Sequence, residues 1–163
     1  MKKLLIAFSF VLVLSFSCGE AGIETIIIDD FTYETSFTPQ VGQFSYSSGP
    51  KTTDIQEEIK DFGNEILDLD ISKIEVSIKD LTGGISGFVD VSITGVNQKI
   101  LEKGELFNGQ TIVVTDNAII ESVKEVLENN DLTYMIDTEF TVSPGTEFTV
   151  LLSFFVESKV KAN

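Results

Sequence analysis

The chain contains no histidine, no arginine and no tryptophan, and a single cysteine among its 163 residues. Each absence removes a class of chemistry. Without histidine there is no side chain whose ordinary pKa lies near neutrality, and the commonest transition-metal ligand is missing. Without arginine, bidentate recognition of carboxylate or phosphate is excluded. One thiol cannot close a disulfide within the chain. Positive charge is also scarce: 11 basic residues, all lysine, stand against 26 acidic ones, for a net charge of −15. Phosphate contacts need a basic face, so no nucleic-acid partner is expected. A polybasic contact with anionic lipid headgroups is excluded on the same ground.

The lone cysteine, Cys18, ends an N-terminal segment built like a processing signal. Lys2 and Lys3 precede an apolar run from Leu4 to Leu14, interrupted once by Ser9 and followed by Ser15-Phe16-Ser17. A charged start, an apolar stretch of export length and small residues at the cut form the layout of a secretory signal peptide. With cysteine next in line, residues 1–19 resemble a bacterial lipoprotein leader. That resemblance implies cleavage before Cys18 and acylation of its sulfur, palmitate being one such chain. Ser15 occupies the slot that the family usually gives to leucine, and Leu14 lies one position earlier. Ser15-Phe16-Ser17 also reads as an ordinary small-x-small cleavage site, which would release a soluble protein starting at Cys18. An uncleaved membrane helix fits worst, because the apolar run is well short of roughly 20 residues. Cysteine usage favours lipidation, since an exported domain with one unpaired thiol would carry a reactive group in an oxidising compartment. The expectation is a lipoprotein of the bacterial cell envelope, periplasmic or surface-facing, held to the membrane through Cys18.

The remainder divides simply. Residues 1–17 form the signal peptide, 18–22 a lipid-anchor tether and 23–163 a single β-rich domain. Removing the leader takes two basic residues and no acidic one, so the remaining 146 residues carry −17 against −15 for the whole. That length supports one hydrophobic core and not comfortably two.

Periodicity places the elements. Ile23 to Ile28 is a β-branched run ended by Asp29-Asp30, after which Phe31, Tyr33, Thr35 and Phe37 alternate with polar residues as a half-buried strand does. Thr53 with Gln56 has the spacing of a capping box, and Ile55, Ile59, Phe62 and Ile66 form one apolar stripe, predicting a helix over about 53–67. Ile74, Val76 and Ile78, the turn signal Thr82-Gly83-Gly84, then Val89, Val91 and Ile93 read as a hairpin. Lys99 to Phe107 is a strand that meets Thr111–Val114 through Asn108-Gly109. A second helix runs from Asp116 or Asn117 to Asn129, with Ile119, Ile120, Val123, Val126 and Leu127 on one face. The tail carries the strongest alternation, Leu132 to Val142 and Phe148 to Val156, and reads as a further hairpin turned by Ser143-Pro144-Gly145. Leu151 and Phe155 make the second face of the last strand partly apolar, as in a central or doubly covered strand. The fold class is mainly β, an antiparallel β-sandwich-like domain carrying two amphipathic helices. Its layout loosely resembles exported β-sandwich lipoproteins of unassigned role.

No catalytic constellation emerges. The pairs Ser158-Lys159 and Ser72-Lys73 place neighbours on opposite faces of a strand, so neither converges. Asp29-Asp30, Glu57-Glu58 and Asp68 with Asp70 are paired carboxylates, but a sugar cleft would show exposed aromatics beside them, and core phase accounts for most aromatics here. Calcium would suit the oxygen-rich positions Asp29, Asp30, Asp68, Asp70 and Asp80, yet none has the Asp-x-Asp-x-Asp-Gly loop spacing, and turn and cap roles account for them. Gly83, Gly84 and Gly87 precede a strand and so lack the helix N-terminus that cradles phosphate. No catalytic, cofactor or metal residue is assigned; Cys18 is the one site residue. The leading expectation is a non-enzymatic, lipid-anchored binding or assembly module with an envelope-protein partner. The alternative is a carrier holding a hydrophobic ligand between sheet and helix, and a carboxylate hydrolase stands third.

Overall fold

The computed structural model describes residues 24–60, 65–82, 84–129 and 131–161. The chain forms β1 (Glu24–Phe37), β2 (Ser45–Ser47), β3 (Lys51–Thr53), α1 (Ile55–Lys60), β4 (Glu65–Lys79), β5 (Ser86–Ile93), β6 (Leu101–Phe107), β7 (Thr111–Val114), α2 (Asn117–Asn129), β8 (Leu132–Phe140) and β9 (Phe148–Lys161). One sheet has the order β1-β9-β4-β7; the other runs β2-β8-β5-β6, with β3 sharing the β2 position along β8. All pairings are antiparallel.

This order has a simple origin. Fold the chain at the loop 94–100 into one long two-armed ribbon. Its rungs are β5 with β6, β4 with β7, β3 and β2 with β8, and β1 with β9. Rolling that ribbon brings β9 against β4 and β8 against β5, completing both sheets. A ribbon rolled in this way is a jelly roll, a double Greek-key form of the β-sandwich. The expected antiparallel sandwich with two helices is therefore the observed fold.

Three expected local pairings are overturned. β4 and β5 are not a hairpin: β4 pairs with β9 and β7, and β5 with β6 and β8. Asn108-Gly109 does make a turn, with the Gln110 N–H donating to the Phe107 carbonyl at 2.9 Å and Gly109 at φ 77°, but it carries the chain from one sheet to the other. The Ser143–Gly145 connection likewise joins β8 and β9 across the sandwich. Alternation says that two strands share a core, and facing strands share one as fully as adjacent strands do.

Strand and helix limits also shift. Asp29-Asp30 is no break, because β1 stays in register with β9 over 14 residues. Asp29 takes a core-phase position and is 8% exposed. The first helix is short among the described residues, ending at Lys60, while Ile66 lies in β4 opposite Val160. Phe62 of the expected stripe lies outside the described residues. The cap is Asp54, whose Oδ1 accepts the Glu57 N–H at 2.8 Å; Thr53 is the last residue of β3, and Gln56 donates through its amide to the Leu127 carbonyl. Two register shifts along β4, at Ile66/Asp68 and Ile71/Lys73, explain why its first half escaped notice. Leu69 and Ile71 point inward in one phase, Ile74, Val76 and Ile78 in the other, and the bulge between them breaks the period-two pattern.

The second helix has the expected limits, capped by Asp116 Oδ1, which accepts the Ala118 N–H at 2.8 Å. Its Val123 and Leu127, with Ile55 and Ile59 of α1, are 0–1% exposed and complete the core at one end. At the other end, Phe37, Tyr46, Phe140 and Phe148 form an aromatic cluster with ring centroids 5.0–6.2 Å apart. β9 is central in its sheet, as its apolar second face suggested, and the Lys73 ammonium covers the Phe155 ring at 3.9 Å.

Candidate functional site

The roll gives the molecule two unlike poles. Glu24 pairs with Lys161, and Lys161 with Glu65, so the first strand enters at the pole that carries α1, α2 and the loop 94–100. The opposite pole gathers the connections 38–44, 80–85, 108–110 and 141–147. The last three of these brace one another. The Leu81 N–H donates to Asn108 Oδ1 at 3.2 Å, and the hydroxyls of Thr82 and Thr146 lie 3.0 Å apart. Between them is an open depression of about 600 Å³ lined by Asp80, Thr82, Gly84, Asn108, Thr146 and Glu147 over the buried Leu81. Asp80 and Gly84 both have left-handed backbones there, a conformation that glycine adopts freely and aspartate tolerates better than most.

A second depression, of about 360 Å³, lies on the outer face of the β2-β8-β5-β6 sheet, among Ser45, Ser47, Phe88, Asp90, Lys103, Asp137 and Glu139. Phe88 is 41% exposed although it sits in the polar phase of β5. Register places Asp90 directly opposite Asp137 and Phe88 opposite Glu139. The Asp90 carboxylate is clamped: Oδ1 accepts the Lys103 N–H at 2.6 Å and Oδ2 the Lys99 ammonium at 2.7 Å. Partial burial works to raise its pKa, yet Lys99 and Lys103 prevail and hold it below the usual 3.8. Cross-strand neighbours on one face have Cβ atoms about 5 Å apart, close enough for a carboxylate pair. A glycoside hydrolase needs one carboxyl with a raised pKa to protonate the leaving group. Asp90, whose carboxylate form Lys99 and Lys103 favour, is not that group.

The third feature is the long side where β1 and β3 border the gap between the sheets. Tyr33 and Thr35 project from the inward face of β1. The Tyr33 hydroxyl donates to Glu58 Oε1 at 3.4 Å, and the Lys51 ammonium donates to Thr35 Oγ1 at 3.2 Å. Burial pushes the Tyr33 hydroxyl far above the usual 10; Thr53 pulls it down, and the Glu58 carboxylate adds to the rise. Tyr134, whose ring centroid lies 6.1 Å from that of Tyr33, is also raised by burial, against a lowering contact from Thr35. This seam closes the open side of the sandwich with polar groups where strand pairing cannot.

The structure scatters the carboxylates that composition offered for a cation. Asp68 and Asp70 lie toward the helical pole, each accepting the next residue's N–H at 3.0 Å, whereas Asp80 is at the opposite pole. Asp29 turns inward and accepts the Asp30 N–H at 2.9 Å. Among the described residues, no three His, Cys, Asp or Glu side chains gather as a metal site. Ser158 is buried while Lys159 pairs with Glu24 at 2.5 Å on the outer face, and the Ser72 hydroxyl donates to the Phe155 carbonyl. Ser158 and Lys159 thus stand on opposite faces as expected, whereas the register shift at Ile71/Lys73 leaves both Ser72 and Lys73 off the inward face, with Lys73 paired to Glu75 at 2.8 Å. Gly83 lies outside the described residues, and Gly87 is a strand residue against the Phe140 ring. The helical stripes are core, and the depression beside them, about 460 Å³, is lined by Gln56, Lys60, Glu65, Asp68 and Glu128 as well as by Ile66, Leu67 and Leu69. Cys18 and the leader lie outside the described residues, among which no helix is long and apolar enough to cross a membrane. The Phe88 face was missed in the sequence, although an aromatic in the polar phase of a strand was a signal for it.

No family model and no curated protein matches the chain. Solved structures with a similar course are those described as Desmodium yellow mottle tymovirus and as the infectious bursal disease virus VP2 subviral particle. The first has a TM-score of 0.40 at 9% identity, covering 93% of this chain and 95% of that one. The second has a TM-score of 0.32 at 12% identity, covering 88% of this chain and 34% of that one. Both scores are below 0.5, so the fold assignment rests on strand order alone.

Proposed function

We propose that the protein is a lipid-anchored, non-enzymatic binding or assembly module of a bacterial cell envelope, held to its membrane through Cys18 by the helical pole. The observation that carries this reading is the distance in sequence between the cysteine and the fold. β1 begins at Glu24, six residues after Cys18, at the pole that bears both helices. Six extended residues span at most about 20 Å. An acylated Cys18 would keep that pole near the bilayer, and the 14 residues of β9 would set the four far-pole connections roughly 45 Å further out. Each acyl methylene contributes about 0.8 kcal/mol to membrane binding, so several chains on one residue give a stable anchor without any basic patch. The arrangement leaves the far pole and the long sides of the sandwich clear for a partner.

Mass spectrometry of the N-terminal peptide from native membranes tests this. The expected result is an acylated Cys18 as first residue, with Cys18→Ser moving the protein to the soluble fraction. An unmodified thiol terminus on soluble protein would overturn the anchor.

A further inference from the structure

The depression on the outer face of the β2-β8-β5-β6 sheet holds an aromatic ring where strand alternation calls for polar groups. Phe88 stands in the outward phase of β5, and register sets Glu139 of β8 on one side of it and Glu105 of β6 on the other. Phe107, 48% exposed, lies opposite Ser86 on the same face. It is therefore the diagonal neighbour of Phe88, a spacing that aromatic side chains can bridge. Single apolar residues scattered on a surface need no explanation. Here two phenylalanines are neighbours, and Phe88 lines a depression of about 360 Å³, within the range of small-molecule sites.

The charges around the ring select the occupant. Asp90 is already engaged by the Lys99 ammonium and the Lys103 N–H. Asp137 and Glu139, which line the depression, and Glu105 beside it have no ion pair among the described residues. The Lys103 ammonium is the one cationic group left to face these carboxylates, so negative charge is in excess around Phe88. Anions are disfavoured on that ground. A bare divalent ion takes about six to eight oxygen ligands, and no three acidic side chains among the described residues gather to supply them. A cation with an apolar body fits both halves of the surface, because aromatic faces attract ammonium groups and methylene chains pack on them. Asp137 and Glu139 are about 7 Å apart along β8, and Glu105 is about 10 Å from Glu139 across the sheet, with Phe88 between them. We propose that this depression binds a linear aliphatic polyamine, its methylenes lying over Phe88 and its ammonium groups meeting Asp137, Glu139 and Glu105. Such a site goes beyond the protein-binding role proposed above and does not depend on the state of Cys18.

The test is calorimetric titration of the full-length chain, in mild detergent at physiological salt, with spermidine. Saturable one-to-one binding is expected, and a neutral diol of matching length should not bind. Phe88→Leu keeps bulk and charge but removes the ring, and should weaken binding about fivefold or more. Glu139→Gln, at an exposed position, should do the same. Glu157→Gln makes an identical charge change at an exposed position on the outer face of the other sheet, opposite Ile28, and should leave affinity within about twofold. No saturable binding, equal losses in both glutamate variants, full affinity in Phe88→Leu, or displacement of spermidine by excess magnesium would overturn the proposal, the last three by reducing the effect to general charge attraction. Tighter binding of a lysine-bearing peptide than of spermidine, lost equally in Phe88→Leu, would overturn it in favour of a cationic protein segment. Spermidine binding is read whether or not Cys18 is acylated, so failure here and failure of the anchor are separate results.

Discussion

Replacing Gly87 with alanine probes the pairing of β5 with β8, which joins residues about fifty positions apart in sequence. A Cβ at position 87 would lie 2.4 Å from both Cδ1 and Cε1 of Phe140 and 3.1 Å from the Glu139 carbonyl oxygen. Carbon atoms in contact sit about 3.5–4.0 Å apart, so the ring would have to withdraw by about 1 Å. It has little room to do so. Phe140 is 4% exposed and boxed in by Tyr46 and Phe148, with centroids at 6.2 and 5.0 Å. Overpacking a closed core costs about 1–3 kcal/mol, and with the strand carbonyl also crowded the upper half of that range, about 2–3 kcal/mol, is expected. For a domain of this size the melting temperature should fall by roughly 6–9 °C. Urea unfolding of Gly87→Ala, Phe140→Leu and the double variant would isolate the contact. The smaller leucine makes room for the new methyl, so the double variant should lose at least about 1 kcal/mol less than the two single losses added together. A Gly87→Ala protein as stable as the parent, or strict additivity, would refute the register. In a β4–β5 hairpin, residue 87 would have no reason to couple to Phe140.

Two further outcomes follow from buried polar groups. Thr138 is 4% exposed and its hydroxyl has no hydrogen-bond partner among the described residues; the isosteric Thr138→Val should raise stability by about 1 kcal/mol in urea unfolding, and a loss of that size would show that the hydroxyl is satisfied. Tyr33 should resist ionisation in an alkaline absorbance titration, because its folded pKa is raised, first by burial. Stability from such a group is complete below the unfolded value of about 10 and is lost as pH rises beyond it, so unfolding above pH 10 should be delayed in Tyr33→Phe. Parallel alkaline denaturation of the two proteins would argue against it.

Much of the fold was legible because alternation reports directly on burial. The long β8 and β9, the limits of α2 and the mainly β class all follow from period-two and 3.6-residue patterns held without interruption. Legibility failed where pattern and geometry part. The bulge at Ile71/Lys73 reverses phase in mid-strand and hid the first half of β4. Asp29-Asp30 looked like punctuation, yet pairing with β9 carried the strand straight through it. The outer-face depression was hidden for a different reason. It is made by Asp90 and Asp137 from strands far apart in sequence, and no spacing within either strand announces that they stand opposite each other.

The amino-acid sequence on its own determined which residues turn inward along α2, β8 and β9, that the chain carries a leader-like segment ending in a lone cysteine, and that its surface is acidic and without arginine or histidine. Those are local properties, set by side-chain chemistry and by the two-residue repeat of an extended backbone. Tertiary structure alone decided which strands are neighbours. An inward-facing strand loses the same apolar surface to a partner in its own sheet as to one across the core, so burial cannot distinguish a hairpin from a sheet-crossing arch. Rolling the whole ribbon removed that ambiguity. The same step placed both helices and the start of β1 at one pole.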